Sequence, residues 1–313
     1  MANRLAEDLV AAFDALFGGN PEVRAAHAKG TCCDGTFTAT PDAARLTRAP
    51  HMQGEPARTT VRFSNGSGDL AAHDAGREPR GMAVKFHLDE RRSTDIVSIN
   101  NSAFIVRTPE EVLEFARLRK PDPVTGQLDL AALGAFVAAR PESQRAAQML
   151  LTTPPLASFL QTRYFAIHAF RFVAADGSAT FGRYRWEPGL GVASLTAEDA
   201  SGRDPNYLRD DLIARMAAGP ASFALHVQLA GDGDDPTDPT TEWPEDRPSI
   251  VAGHLEITGI TADQENGCER LLFDPTRLCD GIETSGDKVL DARPHAYAVS
   301  SKRRSKARTA ADA

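Results

Sequence analysis

Apolar positions at Leu5, Leu9, Phe13 and Leu16-Phe17 recur at helical spacing, and Gly18-Gly19 ends the pattern. The chain therefore opens on an amphipathic helix with one core-facing side. After it the period shortens to two. Thr36 to Thr40 alternates Thr with an apolar residue, and Thr59 to Ser64, Gly81 to His87 and Asp95 to Asn101 follow as strand-like runs. In the second of these Met82, Val84 and Phe86 share one side, and Lys85 and His87 the other. The period then lengthens again. Thr108-Pro109-Glu110-Glu111 has the form of a capping box with Pro at the first helical position. From Leu128 to Leu160 the chain is rich in Ala and Leu but broken at Pro141 and Pro154-Pro155, which predicts two or three helices. Strands return at 166–173 and 179–186 across the hairpin signal Asp176-Gly177. A helix over 205–218 and strands over 223–229 and 254–260 complete the pattern. Strands, helices, strands and helices, with short strands bounded by Gly, Asn and Asp, predict an α+β fold on an antiparallel barrel.

Composition narrows the picture. The 313 residues are 42% hydrophobic and 25% charged, the balance of a globular protein with a sizeable core. A net charge of -8 argues against nucleic acid or an anionic membrane as the main partner. The basic run Lys302-Arg303-Arg304-Ser305-Lys306-Ala307-Arg308 precedes a small-residue terminus. It reads as a flexible tail over 301–313, leaving 1–300 as one domain. Neither a signal peptide nor a bilayer-spanning run is evident, so the expected compartment is the cytoplasm. Cys32, Cys33, Cys268 and Cys279 form no CxxC pair, and all four are expected as reduced thiols.

Candidate chemistry sits at the two ends. Arg293 and Tyr297 are four residues apart, so on a helix they share a face. A guanidinium against a phenol favours the phenolate, and a tyrosinate is one of the few protein ligands for haem iron. Spacing alone makes this an ordinary helix contact; the functional reading needs a second group able to work on peroxide. His27, in Arg24-Ala-Ala-His27-Ala-Lys-Gly30, is such a group, since an imidazole can take and return a proton near neutral pH. Other candidates are weaker. Asp232, Asp234, Asp235 and Asp238 lack the Gly and closing Glu of a calcium loop. Asn65-Gly66-Ser67-Gly68 reads as a turn. The remaining histidines show no metal-ligand spacing.

Taken together, these runs resemble the haem catalase superfamily, in its short, catalase-related peroxidase branch. The matching segments are 24–30, 61–64, 77–86, Asp204-Pro205-Asn206-Tyr207, Thr240-Thr241-Glu242-Trp243-Pro244, Phe273-Asp274-Pro275 and 281–297, in the family's order. The resemblance implies a catalase-like antiparallel barrel with surrounding helices, without the catalase N-terminal arm and C-terminal helical domain. It implies haem b (iron protoporphyrin IX) as cofactor. His27 is then the distal acid-base residue, Ser64 the hydroxyl that fixes its tautomer, and Tyr297 the axial iron ligand with Arg293 as its charge partner. Arg24 and Arg62 hold the haem propionates, a fork donor meeting a carboxylate. The run from Arg77 to Phe86 builds a barrel strand. A gapless match puts Ile99 where catalases carry a distal Asn; a one-residue insertion supplies Asn100, and Asn101 is adjacent.

The implied function is a peroxidase that reduces organic hydroperoxides, and hydrogen peroxide, through a ferryl intermediate, with a small reductant as partner. The shorter chain points to a less enclosed haem and larger peroxides, and a barrel without its wrapping arm suggests a homodimer. True catalase activity is one alternative. Fatty-acid-hydroperoxide rearrangement of the allene oxide synthase type ranks lower, because Ala26 stands where those enzymes have Thr before the distal His. A haem- or lipid-binding module without turnover is the alternative from another class.

Overall fold

The computed structural model describes residues 2–311. Its centre is a closed ring of eight antiparallel strands. In chain order the strands are β1 (Gly30–Ala39), β2 (Ala57–Asn65), β3 (Arg80–His87), β4 (Ser93–Ile99), β5 (Tyr164–Phe165), β6 (Phe170–Val173), β7 (Ala179–Pro188), β8 (Ala221–Leu229), β9 (Ser249–Ile260) and β10 (Ile282–Thr284). The ring runs β7-β5-β4-β3-β2-β1-β9-β8 and returns to β7; β6 and β10 extend from β7 beyond β5. Closure removes the exposed edges that an open sheet would carry. The barrel anticipated from the alternating pattern is present, but of the strand expected over 166–173 only 170–173 is strand, as β6, while 166–169 is a loop that follows β5.

Alternation along each strand sorts two faces. Phe37, Val61, Phe63, Met82, Val84 and Phe86 point into the barrel and are wholly buried, joined by Tyr164, Trp186, Phe223 and Leu255. Arg62, Ser64, Gly81 and Cys32 alternate with them and so emerge on the outer face. The register lines these up across the wall: Cys32 opposite Arg62, and Gly30, Ser64, Gly81 and Ile99 in one row. Residues far apart in sequence thereby share one patch of wall.

Helices pack around the barrel. They are α1 (Ala2–Phe17), α2 (Pro41–Leu46), α3 (Pro109–Leu118), α4 (Leu130–Ala138), α5 (Ser143–Thr152), α6 (Ala197–Ser201), α7 (Tyr207–Ala218) and α8 (Lys288–Ala311). The capping box at α3 forms as expected, Thr108 and Glu111 each bonding the other's backbone amide. Leu9 and Ala12 of α1 pack on Leu113 and Ala116 of α3. The basic stretch expected as a flexible tail is instead the last turns of α8. Arg304 is buried there, Arg303 pairs with Asp14 of α1, and Arg308 pairs with Glu265. A basic run is read as solvated when its partners are invisible; here the carboxylates lie hundreds of residues upstream or on another loop.

One expectation is overturned outright. Cys32 and Cys268 form a disulfide, Cα atoms 5.6 Å apart across 236 residues of sequence; Cys33 and Cys279 are free. Spacing could not reveal this pair, because barrel closure alone brings β1 against the turn at 265–269. No helix among the described residues is long and apolar enough to cross a membrane.

Candidate active site

The wall of β2 and β3 presents His27. It lies in the link between α1 and β1, with φ of 56°, the only non-glycine residue among those described in the left-handed region. Such backbone costs on the order of 1–3 kcal/mol and needs neighbours that over-determine it. They are present: His27 and Ala28 donate their amides to the carbonyls of Gly66 and Ser67 at 3.1 and 3.0 Å. Arg62 donates to the carbonyls of His27 and Ala28 at 2.9 and 3.0 Å. The imidazole Nδ1 is 3.0 Å from Ser64 Oγ, which leaves Nε2 as the ring nitrogen able to meet a ligand. Gly81 completes the seat, since a Cβ there would lie 2.7 Å from Ser64 Oγ and 2.9 Å from His27 Nδ1. His27 keeps part of its surface open. Burial, then the charges of Arg62, Arg293, Arg80 and Arg24, lower its pKa from the ordinary 6.5 to about 3. The ring is thus neutral at physiological pH and able to accept a proton.

Beside it Arg24 and Arg62 converge on Glu269. Arg24 pairs with one Glu269 oxygen and donates to the carbonyls of Cys268 and Leu271 at 3.2 and 2.9 Å. Arg62 reaches the other Glu269 oxygen at 3.0 Å. Burial pushes the Glu269 carboxyl up, but Arg62 and Arg24 outweigh it and hold it below the usual range. Arg304 adds a third guanidinium. Burial lowers it, Glu269 opposes, and Arg308 and Arg62 press it further. Three cations around one carboxylate leave an excess of positive charge, and Arg62 Nε is buried without a partner. The sequence presents Arg304 only as part of a basic tail, although an Arg seven residues after the Tyr on one helix was a signal available for it, and nothing local marks Glu269.

The opposite group is local to α8. Arg293 Nε donates to Tyr297 Oη at 2.9 Å, and a second guanidinium nitrogen donates to the same oxygen. Tyr297 itself is partly exposed. The helix is tied to the barrel by Asp287. One Asp287 oxygen accepts from the amides of Val289 and Leu290 at the helix start, and the other lies 2.6 Å from His168 Nδ1. Both side chains are buried. Burial holds the His168 pKa down against the pull of Asp287, with Arg293 and Arg183 pressing it further, so a neutral ring donates to the carboxylate. His168 was also missed: a single His in a strand-like run carries no signal. The Arg293 charge reaches both His27 and His168 and lowers the pKa of each.

Asn100 sits just past β4. Its Oδ1 accepts the Arg80 amide at 2.7 Å, and its own amide donates to the Arg80 carbonyl. Its hydrogen bonds close the start of β3, and His27 bonds Ser64 instead. Asn101 is buried, and Ile99 stands opposite Gly81 in the ladder.

Comparison with known proteins bears on this arrangement. The protein-family model described as Catalase matches residues 19–310. A catalase-related peroxidase of Mycolicibacterium paratuberculosis is 40% identical over 288 residues, covering 92% of this chain and 90% of that protein. A catalase-related peroxidase of Synechococcus elongatus is 32% identical over 300 residues, covering 96% and 88%. Among solved structures, a bacterial catalase superposes with a TM-score of 0.82 at 26% identity, covering 91% of this chain and 58% of that one. Catalase A from Saccharomyces cerevisiae gives 0.83 at 25%, covering 91% and 62%. The chain thus spans about three fifths of these solved catalases and nearly all of its shorter relatives. By family model and by relatives alike, it belongs to the catalase family.

Proposed function

We propose that this protein is a haem peroxidase that reduces organic hydroperoxides, and hydrogen peroxide, at the expense of a small reductant. The observation that carries the reading is the neutral His27 imidazole, seated on Ser64 and Gly81, in one chain with a phenol clamped by Arg293. The residues present fit haem b. Tyr297 Oη receives donors from Arg293 and keeps electron density for a metal. Arg24, Arg62 and Arg304 supply the cationic excess that two propionates would balance, and the unpartnered Arg62 Nε is one donor for them. When bound, haem supplies the electrons that cleave the peroxide O–O bond and accepts replacements one at a time from the reductant.

Everything else falls to side chains. His27 Nε2 takes the proton from the inner peroxide oxygen and returns it to the outer oxygen, which leaves as water or an alcohol. Ser64 holds Nδ1, so the ring keeps the tautomer this shuttle needs. Burial, reinforced by the surrounding guanidiniums, keeps the imidazole neutral before peroxide arrives. Arg293 donates to the Tyr297 oxygen through two guanidinium nitrogens and fixes its position. Asn100 is the nearest distal amide in sequence, and its engagement with Arg80 favours peroxidase turnover over rapid disproportionation, which needs peroxide more tightly oriented.

An absorption spectrum of the purified protein tests the cofactor, with a Soret band expected and its absence decisive against the reading. Cumene-hydroperoxide-driven oxidation of guaiacol tests the rest. His27→Ala is expected to keep haem and lose turnover by about 10²–10⁴-fold, and Tyr297→Phe to lose haem itself. Equal, negligible rates in wild type and His27→Ala would leave a binding module without turnover.

A further inference from the structure

We propose that Glu269 is a positioning residue for the distal wall and that the Cys32–Cys268 disulfide anchors it, so that the thiol–disulfide state sets how firmly haem is held. This rests on the haem reading given above and adds to it a control point built from this chain's own cysteines.

The geometry is a short relay. Cys32 and Arg62 are cross-strand partners on β1 and β2, so the sulfur and the guanidinium leave the outer wall side by side. Cys268 precedes Glu269 on the turn at 265–269. All three protein acceptors of Arg24 lie on that turn and its exit: Glu269, the Cys268 carbonyl and the Leu271 carbonyl. Arg62 spans from Glu269 to the carbonyls of His27 and Ala28. Gly30 makes room for it, because a Cβ there would lie 2.5 Å from the Arg62 guanidinium carbon. The order of contact is therefore disulfide, Glu269, Arg62, His27 backbone. Gln264 reinforces the turn with hydrogen bonds to the Cys32 amide and carbonyl, both 2.9 Å. Both sulfurs are fully buried, packed with Phe273.

Reduction would act through this relay. A dithiol supplies two electrons and two protons; the Cys32–Cys268 S–S bond breaks, two thiols form, and the reductant closes its own disulfide. Two thiols need more room than one disulfide, and both sulfurs are buried against Phe273. The turn must shift, taking Glu269 off Arg24 and Arg62. Disulfides persist in oxidising surroundings and open in thiol-rich ones, so haem retention would follow the redox poise around the protein.

The test uses the haem-loaded protein. Denatured without reductant, two of its four cysteines should alkylate, and all four after reduction. Haem transfer to excess apomyoglobin is then timed with and without a dithiol, and in Cys268→Ser, Glu269→Gln and the double variant. Each perturbation should speed haem release about tenfold, the scale of one lost charge-assisted contact. The double variant should release no faster than either single one, because both break the same relay. Glu269→Asp should recover part of the retention. Four alkylated cysteines before reduction would overturn the inference. So would unchanged haem release on reduction of wild type, even with a lowered melting temperature, since the disulfide would then be only a structural staple. Should the variants fail to fold, the reduced wild type decides. A protein that takes up no haem sinks both this inference and the proposed function; haem bound and lost equally in all forms sinks this inference alone.

Discussion

The wall that carries His27 and the helix that carries Tyr297 solve one problem, aiming a side chain, by opposite means. Tyr297 is placed by its own helix: Arg293 is one turn away, and Asp287 caps the same helix while gripping His168. His27 has almost nothing local. Its backbone is held by Gly66, Ser67 and Arg62, its ring by Ser64 and Gly81, and Arg62 in turn by Glu269 from the far end of the chain. The helix side tolerates small shifts of the barrel because its parts move together. The wall side cannot, since its supports are spread over β2, β3, the turn at 66–67 and the turn at 265–269.

The largest consequence falls on Gly81. In Gly81→Ala the new Cβ would press on Ser64 Oγ and His27 Nδ1 together, at 2.7 and 2.9 Å. Something must shift, and overpacking of this kind costs about 1–3 kcal/mol. Peroxidase turnover should fall about 10²-fold, the usual effect of misplacing a catalytic group by an ångström, while haem content stays near wild type. Turnover within a fewfold of wild type would mean the wall is as forgiving as the helix, and the contrast would be lost.

Acid separates the two sides next. Burial and then the surrounding guanidiniums lower the His27 pKa, whereas Asp287 opposes the burial of His168. His27 and His51 both drop to about 3 from the ordinary 6.5 by burial, with the guanidiniums adding to the effect on His27. In the unfolded chain these rings take protons near 6.5; folded, they refuse them until about 3. The unfolded state binds more protons in that window, so stability is complete above 6.5 and drains away as pH falls towards 3. Urea midpoints measured from pH 7 to 4 should decline steadily. Over the same range kcat/KM of the folded enzyme should show no inflection near 6.5. An inflection there would mean His27 titrates like a free histidine and its seat is not the one described.

The same contrast governs what the sequence could disclose. Arg293 and Tyr297 were readable because four-residue spacing on a helix is itself a contact, and the barrel was readable because period-two alternation recurs in run after run. Ser64 and His27 came from resemblance to a family, not from spacing. Glu269, His168 and the Cys32–Cys268 bond were not readable, because each acquires its meaning only after folding brings together segments more than a hundred residues apart, and Arg304 was not, because only the packing of α8 buries it. Arg304 shows the point well. Within its own run it is one cation among several, and only the depth at which α8 packs makes it a buried charge that feels Glu269 rather than part of a tail.

The smallest effect is expected at Asp287, and it tests the helix side directly. Asp287→Asn keeps a good helix cap, since Asn accepts backbone amides as Asp does. It removes only the charge that meets His168 Nδ1. One charged hydrogen bond is worth about 1.5–3 kcal/mol, part of which the amide oxygen still provides. Stability should therefore fall by less than that. Haem content should hold, and turnover should stay within about threefold of wild type, the scale of one neutral hydrogen bond. The Arg293–Tyr297 contact explains why, because it lies within one turn of α8 and does not pass through His168. A large loss of turnover with haem and fold intact would show that Asp287 and His168 tune the phenol through Arg293. The helix would then be as dependent on distant support as the wall, and the placement of Tyr297 could no longer be called local.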